Sequence, residues 1–141
     1  MSQFQISILA ADSVLYEGAC ESLVVPTPQG LYGILAKHSN MISAVVPGRL
    51  SYRIPGGQEQ YAAVSAGLVK VEDNEVLVLV DTAERPEDID ANRAKRAADE
   101  AREAILQKRS IQEYRSAQTN LARELNRLKV KRQYDDYMEK Q

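Results

Sequence analysis

Apolar positions in the first part of the chain come in short runs. Phe4, Ile6 and Ile8 alternate with Gln5, Ser7 and Leu9, close to the period of two that lays one face of a strand on a core. Residues 20–25, 41–46 and 50–54 are further short runs with apolar, often β-branched content. Pro55-Gly56-Gly57 predicts a turn between residues 50–54 and 61–64. Residues 67–71 and Glu75–Val80 flank Glu72-Asp73-Asn74, which predicts a second hairpin. Glu75–Val80 is continuously apolar after its first residue, so both of its faces are expected to be covered. About eight to ten short strands at this spacing predict a sandwich or flattened barrel.

After residue 83 the period lengthens and two helices are expected. Asp88 or Asp90 can cap the first, after Pro86, with acids in its first turn matching the helix dipole. Its apolar stripe is Ala94, Ala97, Ala98, Ala101, Ala104 and Ile105, narrow and small enough for a partner helix to approach closely. Ser110-Ile111-Gln112-Glu113 fits a capping box and opens the second helix, whose stripe reads Ile111, Tyr114, Leu121, Leu125 and Leu128. A short link near residues 108–110 makes the pair an antiparallel hairpin. No heptad run is long enough for a stand-alone coiled coil. Two narrow stripes bury little surface, so the hairpin should be marginal unless it docks.

Composition sharpens this division. The chain has 141 residues, net charge −2, one Cys and one His. That balance argues against a duplex nucleic-acid binder, and one Cys excludes a disulfide framework or a structural zinc cluster. No apolar run is long enough to span a bilayer. The start, Met1-Ser2-Gln3-Phe4-Gln5, lacks the features of a signal peptide, which fits a soluble intracellular or peripheral protein. Residues 1–83 hold 8 acids and 4 bases, whereas residues 84–141 hold 12 acids and 14 bases. All seven Gly lie at or before Gly67. A sparsely charged β domain is thus followed by a densely charged helical one.

Catalytic chemistry is nearly absent. His38 has no Cys or Ser in a nucleophile setting beside it, and a structural or interface role is favoured. Cys20 sits in an apolar run and reads as a buried, inert thiol. Glu84, Glu87, Asp88 and Asp90 read, taken alone, as charges placed at a helix start rather than as a metal or acid/base site. Gly30-Leu31-Tyr32-Gly33 is too short for a dinucleotide loop, and there is no Walker sequence. Arg123, Arg127 and Lys131 recur every four residues, either as a solvated face or as a stripe for an acidic partner or phosphates.

Three stretches carry a resemblance. They are Gly30-Leu31-Tyr32-Gly33-Ile34-Leu35-Ala36-Lys37-His38 with the later Val46-Pro47-Gly48-Arg49-Leu50; Ala83-Glu84-Arg85-Pro86-Glu87-Asp88-Ile89-Asp90; and Arg93-Ala94-Lys95-Arg96-Ala97 with Leu125-Asn126-Arg127-Leu128. In this order and length the chain resembles the epsilon subunits of F-type ATP synthases, of the bacterial and chloroplast type. The resemblance implies an α+β architecture: an N-terminal antiparallel β-sandwich of about ten strands over residues 1–84, then a regulatory helical hairpin over residues 85–141. It implies a non-catalytic central-stalk subunit of a rotary motor, coupling ion-driven rotation to ATP synthesis. The expected partners are the gamma subunit, the c-ring and the alpha and beta subunits. The expected location is the cytoplasmic face of a bacterial membrane, peripheral, with no insertion of its own.

By the same resemblance, Gln29, Gly30, Leu31, Tyr32 and His38 look like the interface with gamma and the c-ring. Leu31 stands where several relatives carry an acid, which removes an ion pair there. The extended hairpin impedes hydrolysis in this family, and Arg123, Arg127 and Lys131 form the basic face that would meet the beta subunits. Some bacterial members bind ATP on the folded hairpin through Ile/Leu-Asp-x-x-Arg-Ala, which Ile89-Asp90-Ala91-Asn92-Arg93-Ala94 matches in full. Glu84, Arg123 and Arg127 stand where binding members place further contacts, while Glu100 replaces a basic residue. No cofactor is required and no metal is expected; ATP is the one implied regulatory ligand. A β-sandwich and helical-hairpin interaction module of some other assembly is the alternative.

Overall fold

The short apolar runs, several of them alternating between buried and exposed side chains, form ten strands: β1 (Phe4–Ala10), β2 (Val14–Cys20), β3 (Ser22–Thr27), β4 (Gly30–Leu35), β5 (Met41–Val45), β6 (Gly48–Arg53), β7 (Glu59–Val64), β8 (Gly67–Glu72), β9 (Glu75–Val80) and β10 (Ala83–Glu84). These come from a computed structural model that describes residues 2–107 and 110–139. The chain divides into two compact units, Met1–Arg85 and Pro86–Gln141. In the first, two five-stranded sheets run in the orders β2-β1-β9-β8-β5 and β10-β7-β6-β3-β4. Ile6, Ile8, Leu23, Ile34, Leu50 and Val78 point between them and are essentially buried, so the core lies between the sheets.

The β8–β9 hairpin forms where it was expected. Asp73 and Asn74 both have positive φ, 51° and 63°, the backbone of a two-residue turn whose twist matches its strands. Asn74 also ties neighbours together: its Oδ1 accepts from the Lys37 backbone N–H at 2.6 Å and its Nδ2 donates to the Gln3 carbonyl at 3.1 Å. Gly67, at the start of β8, faces the backbone of β9, and a Cβ there would overlap the Leu79 carbonyl oxygen and lie 2.7 Å from Val80 Cα. The Cys20 thiol is buried, donates to the Ser22 carbonyl at 3.1 Å, and has its pKa pushed up by that burial. It is held in the thiol form, which suits an inert core group.

Two features differ from the sequence reading. β1 runs parallel to β9, with Gln5 opposite Glu75 and Ala10 opposite Val80, although every other pairing is antiparallel. The strands between them run through both sheets, and so long a connection carries no hairpin constraint on direction. Coverage of β9 on both faces is also corrected. Val76, Val78 and Val80 are buried, but Leu77 is half-buried and Leu79 is exposed on the outer side.

The second unit opens with a 3₁₀ turn at Pro86–Asp88, followed by α1 (Ala91–Gln107) and α2 (Ile111–Glu139). Asp90 is the cap: its Oδ1 accepts the Arg93 backbone N–H at 3.1 Å. The expected first-turn acids, Glu87 and Asp88, fall in the 3₁₀ turn instead, because α1 starts later than Pro86 suggests. Ser110 caps α2, its Oγ accepting from the Glu113 N–H at 3.0 Å. The expected link at 108–109 lies outside the described residues. On α1, Ala94, Ala98 and Ala101 are buried, Ala97 and Ile105 are half-buried, and Ala104 is exposed. Of the expected α2 stripe, Tyr114, Leu121 and Leu128 are half-buried and two positions are not. Ala117, Glu124 and Val130 are buried, whereas Ile111 is 74% exposed and Leu125 40%. The apolar pattern missed this face because a charged residue sits in it.

Candidate functional site

Two surfaces of the sandwich offer contacts. The first is the tip of β3 and β4. Gly30 has φ +113°, a conformation that favours glycine, and it opens the edge strand β4 just after Gln29. Leu31 is 70% exposed, and Leu35, further along the same face of β4, is exposed as well. Tyr32 and His38 meet edge to face, and Tyr32 Oη lies 2.9 Å from His38 Nε2. His38 Nδ1 lies 2.7 Å from the Ser39 carbonyl, which can only accept, so Nδ1 donates and Nε2 accepts from the tyrosine when the ring is neutral. The structure thus brings Tyr32 and His38 together and positions His38 by two hydrogen bonds. His38 has no nucleophile among these partners.

The second surface was not legible in the sequence. On the outer face of the β2-β1-β9-β8-β5 sheet, Ala44, Leu68, Leu79, Leu9 and Val14 stand opposite one another in successive registers, one on each strand. They make a row of apolar side chains across the whole sheet, and Ile42, one row away, is 70% exposed. The signal for it was the second set of leucines in β9, which marks a strand with two apolar faces. Large apolar patches on an outer sheet face are a mark of interaction surfaces.

On the helical unit, α1 and α2 pack against each other and leave an open groove of about 810 Å³ along their seam, lined among others by Ala97, Glu100, Ala101, Ala117, Arg123 and Glu124. Arg123 lines it, and its Nε–H is buried with no acceptor among the described residues. Arg127, one turn on, donates from Nη1 to Oε1 of Glu124 in an ion pair. Lys131 lies 3.5 Å from Asp135 and over the ring of Tyr134. The basic face is therefore not a solvated stripe: Arg123, Arg127 and Lys131 are half-buried or paired within α2.

At the other end of α1, Ile89 and Ala94 are buried, Asp90 serves the cap, and Arg93 is exposed. Glu84 lies in β10, in the other unit. Among the described residues no cluster of acids, His or Cys could hold a metal ion, and no helix is long and apolar enough to cross a membrane.

Residues 3–86 match the family described as ATP synthase, Delta/Epsilon chain, beta-sandwich domain, and residues 87–132 match the long alpha-helix domain of the same chain. The ATP synthase epsilon chain of Ruminiclostridium cellulolyticum is 38% identical over 128 residues, covering 91% of this chain and 95% of that one. A chain in the cryo-EM structure of Euglena gracilis mitochondrial ATP synthase (OSCP, F1 and c-ring) superposes with TM-score 0.73 at 22% identity, over 86% of this chain and 77% of that one. A chain of the Tetrahymena thermophila mitochondrial ATP synthase central stalk and c-ring superposes with TM-score 0.60 at 13% identity, over 90% and 95%. At these identities the two structures speak for the fold. By both domain matches and the 38% identical relative, the chain belongs to the ATP synthase delta/epsilon chain family.

Proposed function

We propose that the chain is a non-catalytic rotor subunit. Its sandwich docks on the gamma subunit and the c-ring, and its hairpin restrains ATP hydrolysis. The observation that carries the docking is the apolar row Ala44–Leu68–Leu79–Leu9–Val14 with Ile42 beside it, together with exposed Leu31 at the β3–β4 tip. A sheet face of this kind gains by being covered, at roughly 25 cal/mol for each Å² of apolar surface removed from water. The test is co-purification with gamma. Leu68→Asp with Leu79→Asp should abolish the complex while the isolated sandwich still melts cooperatively. A wild-type chain that does not bind gamma at micromolar concentration would sink the reading.

The hairpin reading has two conformations, folded and extended, separated by a few kcal/mol. The small residues along α1 support it, since an alanine seam buries little surface. In the extended form Arg127 and Lys131 would exchange their internal acids for acids of the beta subunits, with Arg123 beside them, so inhibition should weaken with salt. ATPase activity of the reconstituted head with the full chain, against a chain ending at Glu87, tests it. Equal activities would remove the inhibitory role.

The folded hairpin is further proposed to bind ATP. Asp90 would accept from the adenine amino group, while Arg93, Arg123 and Arg127 hold phosphate oxygens. Ile89 and Ala94 would supply apolar support. The buried Nε–H of Arg123 supports this, since a donor in such a place calls for an acceptor. Glu100 and Glu113 make the groove acidic away from Arg123, so polyphosphate fits the arginine end. Ligand at 100 times its dissociation constant would stabilise the folded form by about 2.7 kcal/mol. Calorimetry decides it: no heat and no thermal shift at millimolar ATP would reject the sensor.

A further inference from the structure

Arg127, one of the arginines assigned above to phosphate, already holds an acid. Glu124 precedes it by one turn of α2, and the two side chains are only 10% and 21% exposed. Glu124 is the one charged side chain among the buried residues described. A carboxylate takes such a place only when it is paired, and its partner is the guanidinium that an anionic ligand would need. The same carboxylate lines the α1/α2 groove next to Arg123, whose Nε–H has no acceptor among the described residues. An anion arriving at these two arginines meets a negative charge held against one of them.

We propose that Glu124 is a built-in competitor for phosphate: the hairpin closes on the Glu124–Arg127 pair, and a polyphosphate binds by displacing it. The proposal rests on the ATP-binding reading and adds what sets its affinity. The physical basis is exclusion. Two anions cannot share one half-buried guanidinium without mutual repulsion, so the ligand binds only the fraction of molecules in which the internal pair is open. The apparent dissociation constant is the intrinsic one divided by that fraction. The internal pair also explains how three cations are tolerated inside a hairpin with so small a seam. Glu124 and Asp135 neutralise two of them from the same helix.

The test is ATP titration of the full chain by calorimetry. Glu124→Gln keeps the shape and a hydrogen bond to Arg127 but removes the charge. It should tighten ATP binding about five- to thirtyfold, which corresponds to roughly 1–2 kcal/mol. Glu124→Asp, whose shorter side chain draws the carboxylate back from Arg127, should shift affinity in the same direction and guards against a fold defect in the first variant. In an Arg127→Gln background, Glu124→Gln should have a clearly smaller effect, since the pair is gone and only the repulsion of a ligand at Arg123 remains. A change of equal size in that background would mean that Glu124 does not act through Arg127, and the proposal falls. Equal affinity of the wild-type chain and Glu124→Gln overturns the competition while leaving ATP binding intact. Binding by Glu124→Gln but not by wild type is its strongest support. No binding by either overturns both readings.

Discussion

Ala101 is the position at which the hairpin can be loosened most cleanly. It is 6% exposed on α1 and lines the same groove as buried Ala117 and Glu124 of α2. Ala101→Leu places three more carbons in a seam built for a methyl group. Overpacking of this size costs about 1–3 kcal/mol, because the helices must part or the side chain must leave its preferred rotamer. Taking about 2 kcal/mol, the ratio of closed to open hairpin falls roughly thirtyfold. Amide hydrogen exchange reads this directly, since protection reports the free energy of local opening. Protection along α1 and the facing part of α2 should drop by about that factor. Protection in β9 should stay as in the wild type and serves as the internal reference. Ala122→Leu, on an exposed position of α2, should change neither. Unaltered α1 protection in Ala101→Leu would refute the seam as the element that holds the hairpin closed.

Other expectations concern each unit separately. Gly67→Ala drives a methyl group into the β9 backbone and should cost the sandwich about 3 kcal/mol, seen as a lower melting temperature with α1 protection unaffected. Asp90→Ala removes the α1 cap and should destabilise the helix by about 1 kcal/mol, whereas Asp90→Asn keeps the cap. If Asp90 also receives the adenine, Asp90→Asn will weaken ATP binding without changing exchange at the start of α1. The sandwich should weaken in alkali. Burial raises the Cys20 thiol above its ordinary 9.0 and the Tyr52 hydroxyl above its ordinary 10.0. Arg85 partly offsets the shift at Tyr52. The unfolded chain therefore loses these protons first. The stabilisation is complete below the unfolded values and is lost as pH rises through them towards the folded ones. Chemical denaturation between pH 8 and about pH 11 should show it, and Cys20→Ala should flatten the first part of the fall.

Much of the architecture was legible because it rests on local rules. Phe4, Ile6 and Ile8 announce a strand with one buried face, and Asp73-Asn74 and Ser110 announce a turn and a cap through their own backbone chemistry. The change of material near residue 84 is a matter of composition. What stayed hidden depends on partners far away in the chain or on charges that neutralise each other. Direction and neighbours of β1 are fixed by β9, some seventy residues on. The outer apolar row exists only once five strands are placed in register. The α2 seam was read only in part, because hydrophobicity cannot score a buried Glu124 whose place depends on Arg127. For the candidate site, sequence alone pointed to the arginines and to Asp90, but not to the acids that already engage them.

The parallel pairing of β1 with β9 also bears on how the molecule is made. β1 is an interior strand of its sheet, held between β2 and β9. As the chain leaves the ribosome, the first strand can form its hairpin with β2 at once. Its other edge stays open until residue 80 has emerged. An unpaired strand edge backed by Ile6 and Ile8 is sticky during that interval. Contacts of such long sequence separation also slow closure of the sheet. Synthesis of the hairpin follows immediately, so the slow step of the sandwich and the fast, local formation of α1 and α2 overlap in time. A chain truncated before β9 should remain unfolded and aggregate, whereas one ending just after β10 should fold by itself.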